Sequence, residues 1–107
     1  MMKNRMAVAI LSVMVLSTMT VFAQGPGADT YKAKCAMCHG ADGSGNTPAG
    51  KATKTPSFNA PEVLKMSAVE LVAATKDGKG KMPAYSGKLT GAQITQVVAY
   101  IQTLQKK

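Results

Sequence analysis

The chain has 107 residues, 13 basic side chains against five acidic ones, and only two cysteines and one histidine. That length holds one small domain, and a structural zinc site, which takes four ligands, falls one donor short with these three residues. A formal net charge of +8 suits an acidic protein partner, an anionic membrane or nucleic acid, and the first elements of the chain narrow that choice.

Lys3 and Arg5 make a basic start, residues 6–16 an apolar stretch, and Val21-Phe22-Ala23 a small-residue cleavage signal of the secretory kind. The pattern predicts a signal peptide over 1–23, cleaved after Ala23, and a single domain over 24–107. An uncleaved anchor is the poorer reading, because the 18 residues from Met6 to Ala23 barely span a bilayer and are diluted by Ser12, Ser17, Thr18 and Thr20. No cysteine stands at the boundary to take a lipid. The expected product is periplasmic, with no stable membrane anchor. Its 84 residues keep 11 Lys against five acids, a formal +6, and no Arg. Export together with the lack of guanidinium groups argues against nucleic acid.

Gly25-Pro26-Gly27 reads as a flexible lead-in, and Ala28 or Asp29 opens a short helix that runs into Cys35-Ala36-Met37-Cys38-His39. Cys-x-x-Cys-His is the spacing that attaches c-type haem. Two cysteines three apart in a helical turn share a face, so both sulfurs reach one porphyrin edge, and the histidine that follows falls beneath the ring to ligate iron. The competing reading is a redox dithiol of Cys35 and Cys38, but that motif expects a preceding strand and βαβ patterning. A chain this small also profits from a large apolar prosthetic group at its centre, and without haem little stable fold is expected.

Residues 40–54 read as a loop broken by Gly43, Gly45, Asn46, Pro48 and Gly50, continued by residues 56–58. Asn59-Ala60-Pro61-Glu62 has the form of a helix start, leading through Met66. Ser67-Ala68-Val69-Glu70 is a capping box opening a helix that stops at Asp77-Gly78, and Thr90-Gly91-Ala92-Gln93 opens the longest one. Behind it, Ile94, Val97, Val98, Ile101 and Leu104 recur at helical spacing, with Tyr100 beside them. No strand and no internal repeat is expected.

These motifs in this order resemble the class I cytochromes c over residues 27–104, most of all the short bacterial monohaem members. Gly27 and Tyr31 match the glycine and aromatic of the family's N-terminal helix, residues 35–40 its Cys-x-x-Cys-His-Gly, Tyr100 the aromatic of its C-terminal helix, and Met82-Pro83-Ala84-Tyr85 its axial methionine loop. The resemblance implies an all-α cytochrome c fold, short helices wrapped around one covalent haem, with the terminal helices crossing through Gly27, Tyr31 and Tyr100. By the same analogy Pro48 offers the carbonyl that orients His39, although Pro56 lies nearby, and Tyr85 either packs or bonds a haem propionate, with packing favoured.

Three methionines follow the signal, and thioether sulfur suits reduced iron. Met37 lies inside the attachment turn. Met66 closes an amphipathic segment, where core packing suffices to explain it. Met82 sits in Gly78-Lys79-Gly80-Lys81-Met82-Pro83, a stretch too polar to bury a methionine for packing alone. With the family match, Met82 is the expected sixth ligand and His39 the fifth. Both axial positions are then filled, and the expected function is one-electron transfer between respiratory or photosynthetic partners by a soluble monomer, not catalysis. Lys76, Lys79 and Lys81 beside the methionine, with Lys34, Lys51, Lys54 and Lys88, could rim the crevice and steer it to the acidic docking patches of a reductase and of a terminal oxidase or reaction centre. The alternatives are a five-coordinate haem that binds small gases or reacts with peroxide, and a haem-free thiol oxidoreductase.

Overall fold

The computed structural model describes residues 25–106; the expected signal peptide over 1–23 lies outside them. Six helices follow one another: α1 (Pro26–Lys34), α2 (Ala36–His39), α3 (Pro48–Thr53), α4 (Pro61–Leu64), α5 (Ala68–Asp77) and α6 (Gly91–Leu104). Two isolated bridges, Lys79 with Met82 and Ser86 with Leu89, are the only β pairing among the described residues. No described helix is long and apolar enough to cross a membrane.

The two capping boxes form as the sequence predicts. Ser67 accepts from the Glu70 N–H at 3.1 Å while Glu70 accepts from the Ser67 N–H at 2.8 Å, and Thr90 and Gln93 repeat the arrangement at the head of α6. Each pair satisfies two N–H groups that a helix start otherwise leaves bare. Gly78 ends α5 with φ +80°, where a Cβ would press on the Met82 carbonyl at 2.8 Å and the Ala84 nitrogen at 2.9 Å. The chain therefore turns back tightly enough to fold the methionine segment onto the end of α5.

Three boundaries differ from the sequence reading. The lead-in is not flexible: Pro26 takes the first position of α1 and Gly25 its cap, a place where proline's fixed φ and missing N–H cost nothing. The expected loop over 40–54 contains α3, whose cap Thr47 accepts from Gly50 at 2.8 Å. α4 is capped by Ala60 without a side-chain bond. Asn59 instead ties the far end of α6, donating from Nδ2 to the Leu104 carbonyl at 3.2 Å and accepting from the Lys106 N–H.

Packing is organised by the crossing of α1 and α6, the most extensive helix contact among the described residues. A Cβ on Gly27 would collide with the Gln96 carbonyl and touch Cβ of Tyr100, so only glycine lets the two backbones approach this closely. Tyr31 packs its ring on Tyr100 at 5.3 Å between centroids and joins Val97, Val98, Ile101, Phe58, Val63 and Leu71 in the core. This is the terminal-helix packing that the resemblance implied.

Candidate haem site

One cavity of about 640 Å³ opens beside this core. Cys35, Cys38 and His39 line it from the attachment turn, Met82 and Pro83 from the segment after α5, and Phe58, Val63, Met66, Leu71 and Ile101 from the core. The sequence-derived residues are thus brought together. Met37, by contrast, is 77% exposed, consistent with its exclusion as a ligand.

The attachment turn is shaped by a break in the helix at Cys35. Both Cys38 and His39 donate their N–H to the Cys35 carbonyl, at 3.2 and 3.0 Å. Beyond it the loop is held by three further bonds: Gly45 N–H to the His39 carbonyl at 2.6 Å, the Thr47 hydroxyl to the Cys38 carbonyl at 2.9 Å, and the Tyr31 hydroxyl to the Gly40 carbonyl at 2.6 Å. Burial holds the Tyr31 phenol above its usual range, so it remains a donor at any ordinary pH.

His39 is flanked by Phe58, their rings stacked at 4.5 Å and 16°. Burial pushes the imidazole below its ordinary pKa of 6.5, which favours the neutral form that a metal requires. Its Nδ1 is buried with no hydrogen-bond partner. No carbonyl bonds it, that of Pro48 included; Pro48 is exposed at the head of α3, and Pro56 is among the residues that line the cavity.

These features fit a haem. The walls are mainly apolar, the attachment pair opens onto the space, and a buried imidazole nitrogen left without a partner is a polar atom that ligation of the ring and its settling against a carbonyl would satisfy. The cysteines are free of any disulfide. Burial, with Cys38 beside it, pushes the Cys35 thiol up to about 11, the opposite of the lowered pKa by which redox-active thiols are recognised.

Sequence reasoning missed Phe58 as a support of the site and Glu62 and Glu70 as part of its wall. Phe58 follows Pro56-Ser57 in a segment read as plain loop, and nothing in that pattern marks it as the support of His39. Glu62 and Glu70 also line the cavity, so its wall is not purely basic, while Met66 both packs on the core and reaches the cavity. Of the seven lysines singled out, Lys34, Lys54, Lys79 and Lys81 line it; Lys51, Lys76 and Lys88 do not.

Comparison with known proteins bears on the same residues. The family model described as cytochrome c oxidase, cbb3-type, subunit III matches residues 23–101. Cytochrome c6 of Leptolyngbya boryana is 36% identical over 75 residues, covering 70% of this chain and 85% of the relative, and that of Aphanizomenon flos-aquae is 41% identical over 76 residues, covering 70% and 83%. The chain belongs to the class I cytochromes c. Cytochrome c6 of a Synechococcus species is 38% identical over 76 residues, but the match spans just under two thirds, 64%, of that longer relative. A solved structure, KustC0563 c-type cytochrome, superposes with a TM-score of 0.68 at 26% identity, covering 75% of this chain and 98% of its own. In this cytochrome Cys35 and Cys38 are positioned for covalent attachment of a single haem c.

Proposed function

We propose that this cytochrome carries single electrons, with haem c held through Cys35 and Cys38 and ligated by His39 and Met82. The observation that carries the reading is the convergence of all four side chains on one largely apolar cavity, from segments separated by more than forty residues. The haem supplies the one-electron couple. The chain's own residues do the rest: burial favours the neutral form of His39 and Phe58 braces its ring, core residues give the cavity mainly apolar walls, and a thioether at Met82 favours the reduced state. Held by both His39 and Met82, the haem would offer no open site to a substrate, which is the condition of a carrier rather than an enzyme.

Met82 is preferred over Met66 because Met66 is packed against the core cluster at the end of α4, whereas Met82 is presented by a short hairpin that no packing requirement explains. The five-coordinate alternative needs Met82 to stay away from iron. The dithiol alternative needs a reactive Cys35, and the buried, raised thiol opposes it.

The partners are redox proteins. Lys34, Lys54, Lys79 and Lys81 at the cavity wall supply the positive potential that would bring an acidic docking patch to the haem edge, in a fast and salt-sensitive encounter. The small extracytoplasmic carrier that family membership fits is reached by cleavage after Ala23, leaving a monomeric periplasmic domain over 24–107.

An optical spectrum of oxidised and reduced protein, produced with the c-haem maturation machinery and taken with and without carbon monoxide, tests the reading. Sharp low-spin bands, a sulfur-to-iron charge-transfer band and no response to carbon monoxide are expected. A carbon monoxide shift would move the assignment to an open haem, and no haem absorbance at all would sink it.

A further inference from the structure

We propose that Tyr85 is a positioning residue, a latch whose hydroxyl holds the Met82 hairpin against the haem-attachment turn. The inference rests on the assignment of Met82 as axial ligand. It starts from the break between α1 and α2. In a continuous helix the Cys38 N–H would bond the Lys34 carbonyl four residues back. Here it turns to Cys35 instead, at 3.2 Å, which leaves the Lys34 carbonyl for another donor. The Tyr85 hydroxyl donates to it at 3.0 Å, across 51 residues of sequence.

Tyr85 is suited to the task because its backbone is fixed independently. Its N–H donates to the Thr75 carbonyl at 3.0 Å, and its own carbonyl accepts from Lys88 and Leu89, both at 2.9 Å. The Lys88 ammonium lies 5.5 Å from the centre of the ring, a cation–π contact on the phenol. The residue is therefore a strut between the end of α5 and the end of α1.

The segment that needs holding is the one just before it. Lys79 and Met82 exchange two hydrogen bonds, at 3.1 and 2.9 Å, and these are the only hydrogen bonds made by residues 79–84 among the described residues. Lys79, Gly80, Lys81, Pro83 and Ala84 are exposed, and only Met82 is half-buried. Beyond its own two bonds and the tight turn at Gly78, only the sulfur's interaction and the anchoring of Tyr85 hold this hairpin against the rest of the fold. The phenol is also the only hydrogen bond from residues 79–89 to residues 31–40 among the described residues. Removing it favours hairpin opening, and an opened hairpin exposes the metal to any competing ligand.

Tyr85→Phe keeps the ring and removes only the hydroxyl, so it is the informative variant. Imidazole is titrated into the ferric, haem-loaded full chain while the sulfur-to-iron charge-transfer band is followed. The latch predicts that the variant retains the band without imidazole but loses it at lower imidazole concentration, with apparent affinity up about three- to tenfold, the range expected for one hydrogen bond. Thr90→Ala is the matched control, because it strips the cap from α6 and lowers global stability without touching the hairpin. It should leave imidazole affinity unchanged. An affinity in the Tyr85→Phe protein within twofold of the parent, or weaker, overturns the latch. So does an equal rise in Thr90→Ala, which would make the effect one of general loosening. A parent protein with covalent haem and no charge-transfer band would instead overturn the Met82 assignment itself.

Discussion

Around Cys35, Cys38 and His39 the backbone is tied into other segments through Tyr31, Gly45 and Thr47, whereas the hairpin that presents Met82 bonds only to itself and rests on Tyr85. The attachment side is also welded to the crossing of α1 and α6, with Val97 fully buried at its centre. One side of the haem cavity is thus part of the core, and the other is a flap laid over it. A covalent attachment needs a turn whose geometry does not vary. A methionine ligand, being soft and flexible, tolerates a support with much less around it.

The sharpest break in this comparison is Cys38→Ala, which removes half of the covalent link. Most of the holoprotein should be lost, and normal yield with an unchanged haem-stained band on a denaturing gel would count against a two-thioether attachment. Met82→Ala strikes the flap alone. Covalent haem should remain, the midpoint potential should fall and the reduced protein should bind carbon monoxide; Met66→Ala, made in parallel, should keep the site closed. If the two variants exchange behaviour, Met66 is the ligand.

Smaller effects sharpen the contrast. Gly27→Val wedges a side chain into the Gln96 carbonyl at the helix crossing and should cost about 2–3 kcal/mol by chemical denaturation, with the charge-transfer band intact in the molecules that remain folded. Tyr31→Phe leaves the buried Gly40 carbonyl without its donor and should cost about 1–2 kcal/mol; an unchanged midpoint would show that water replaces the phenol there. Lys81→Gln, on the exposed flap, should leave stability within about 0.5 kcal/mol of the parent. Its effect belongs to kinetics, as a shallower dependence of electron-transfer rate on ionic strength with an acidic partner.

The helices with strong local signals were legible in advance. Ser67 with Glu70 and Thr90 with Gln93 specify their own helix starts through side chains a few residues apart, and the residues behind Gln93 repeat at a helical period that leaves one face to bury. α3 was not legible, because its six residues include Pro48 and Gly50 and its cap is justified by Thr47 bonding both Gly50 and the Cys38 carbonyl. That second bond is a tertiary contact. Asn59 misled for the same reason: it has the chemistry of a cap but spends it on the end of α6. In the site, the chemistry-bearing residues could be named from spacing and resemblance, while the support of His39 by Phe58 and the seat of Tyr85 on Lys34 depend on how distant segments meet.

The pairing of α1 with α6 also sets an order of events. The most extensive helix contact of this core joins the beginning of the described chain to its end, so a polypeptide emerging from its N-terminus lacks that contact until the last helix has followed. During that interval Cys35, which the finished fold buries, is still open to solvent. Topology thereby leaves the maturation machinery an interval in which to join haem to both sulfurs before the C-terminal helix docks on α1.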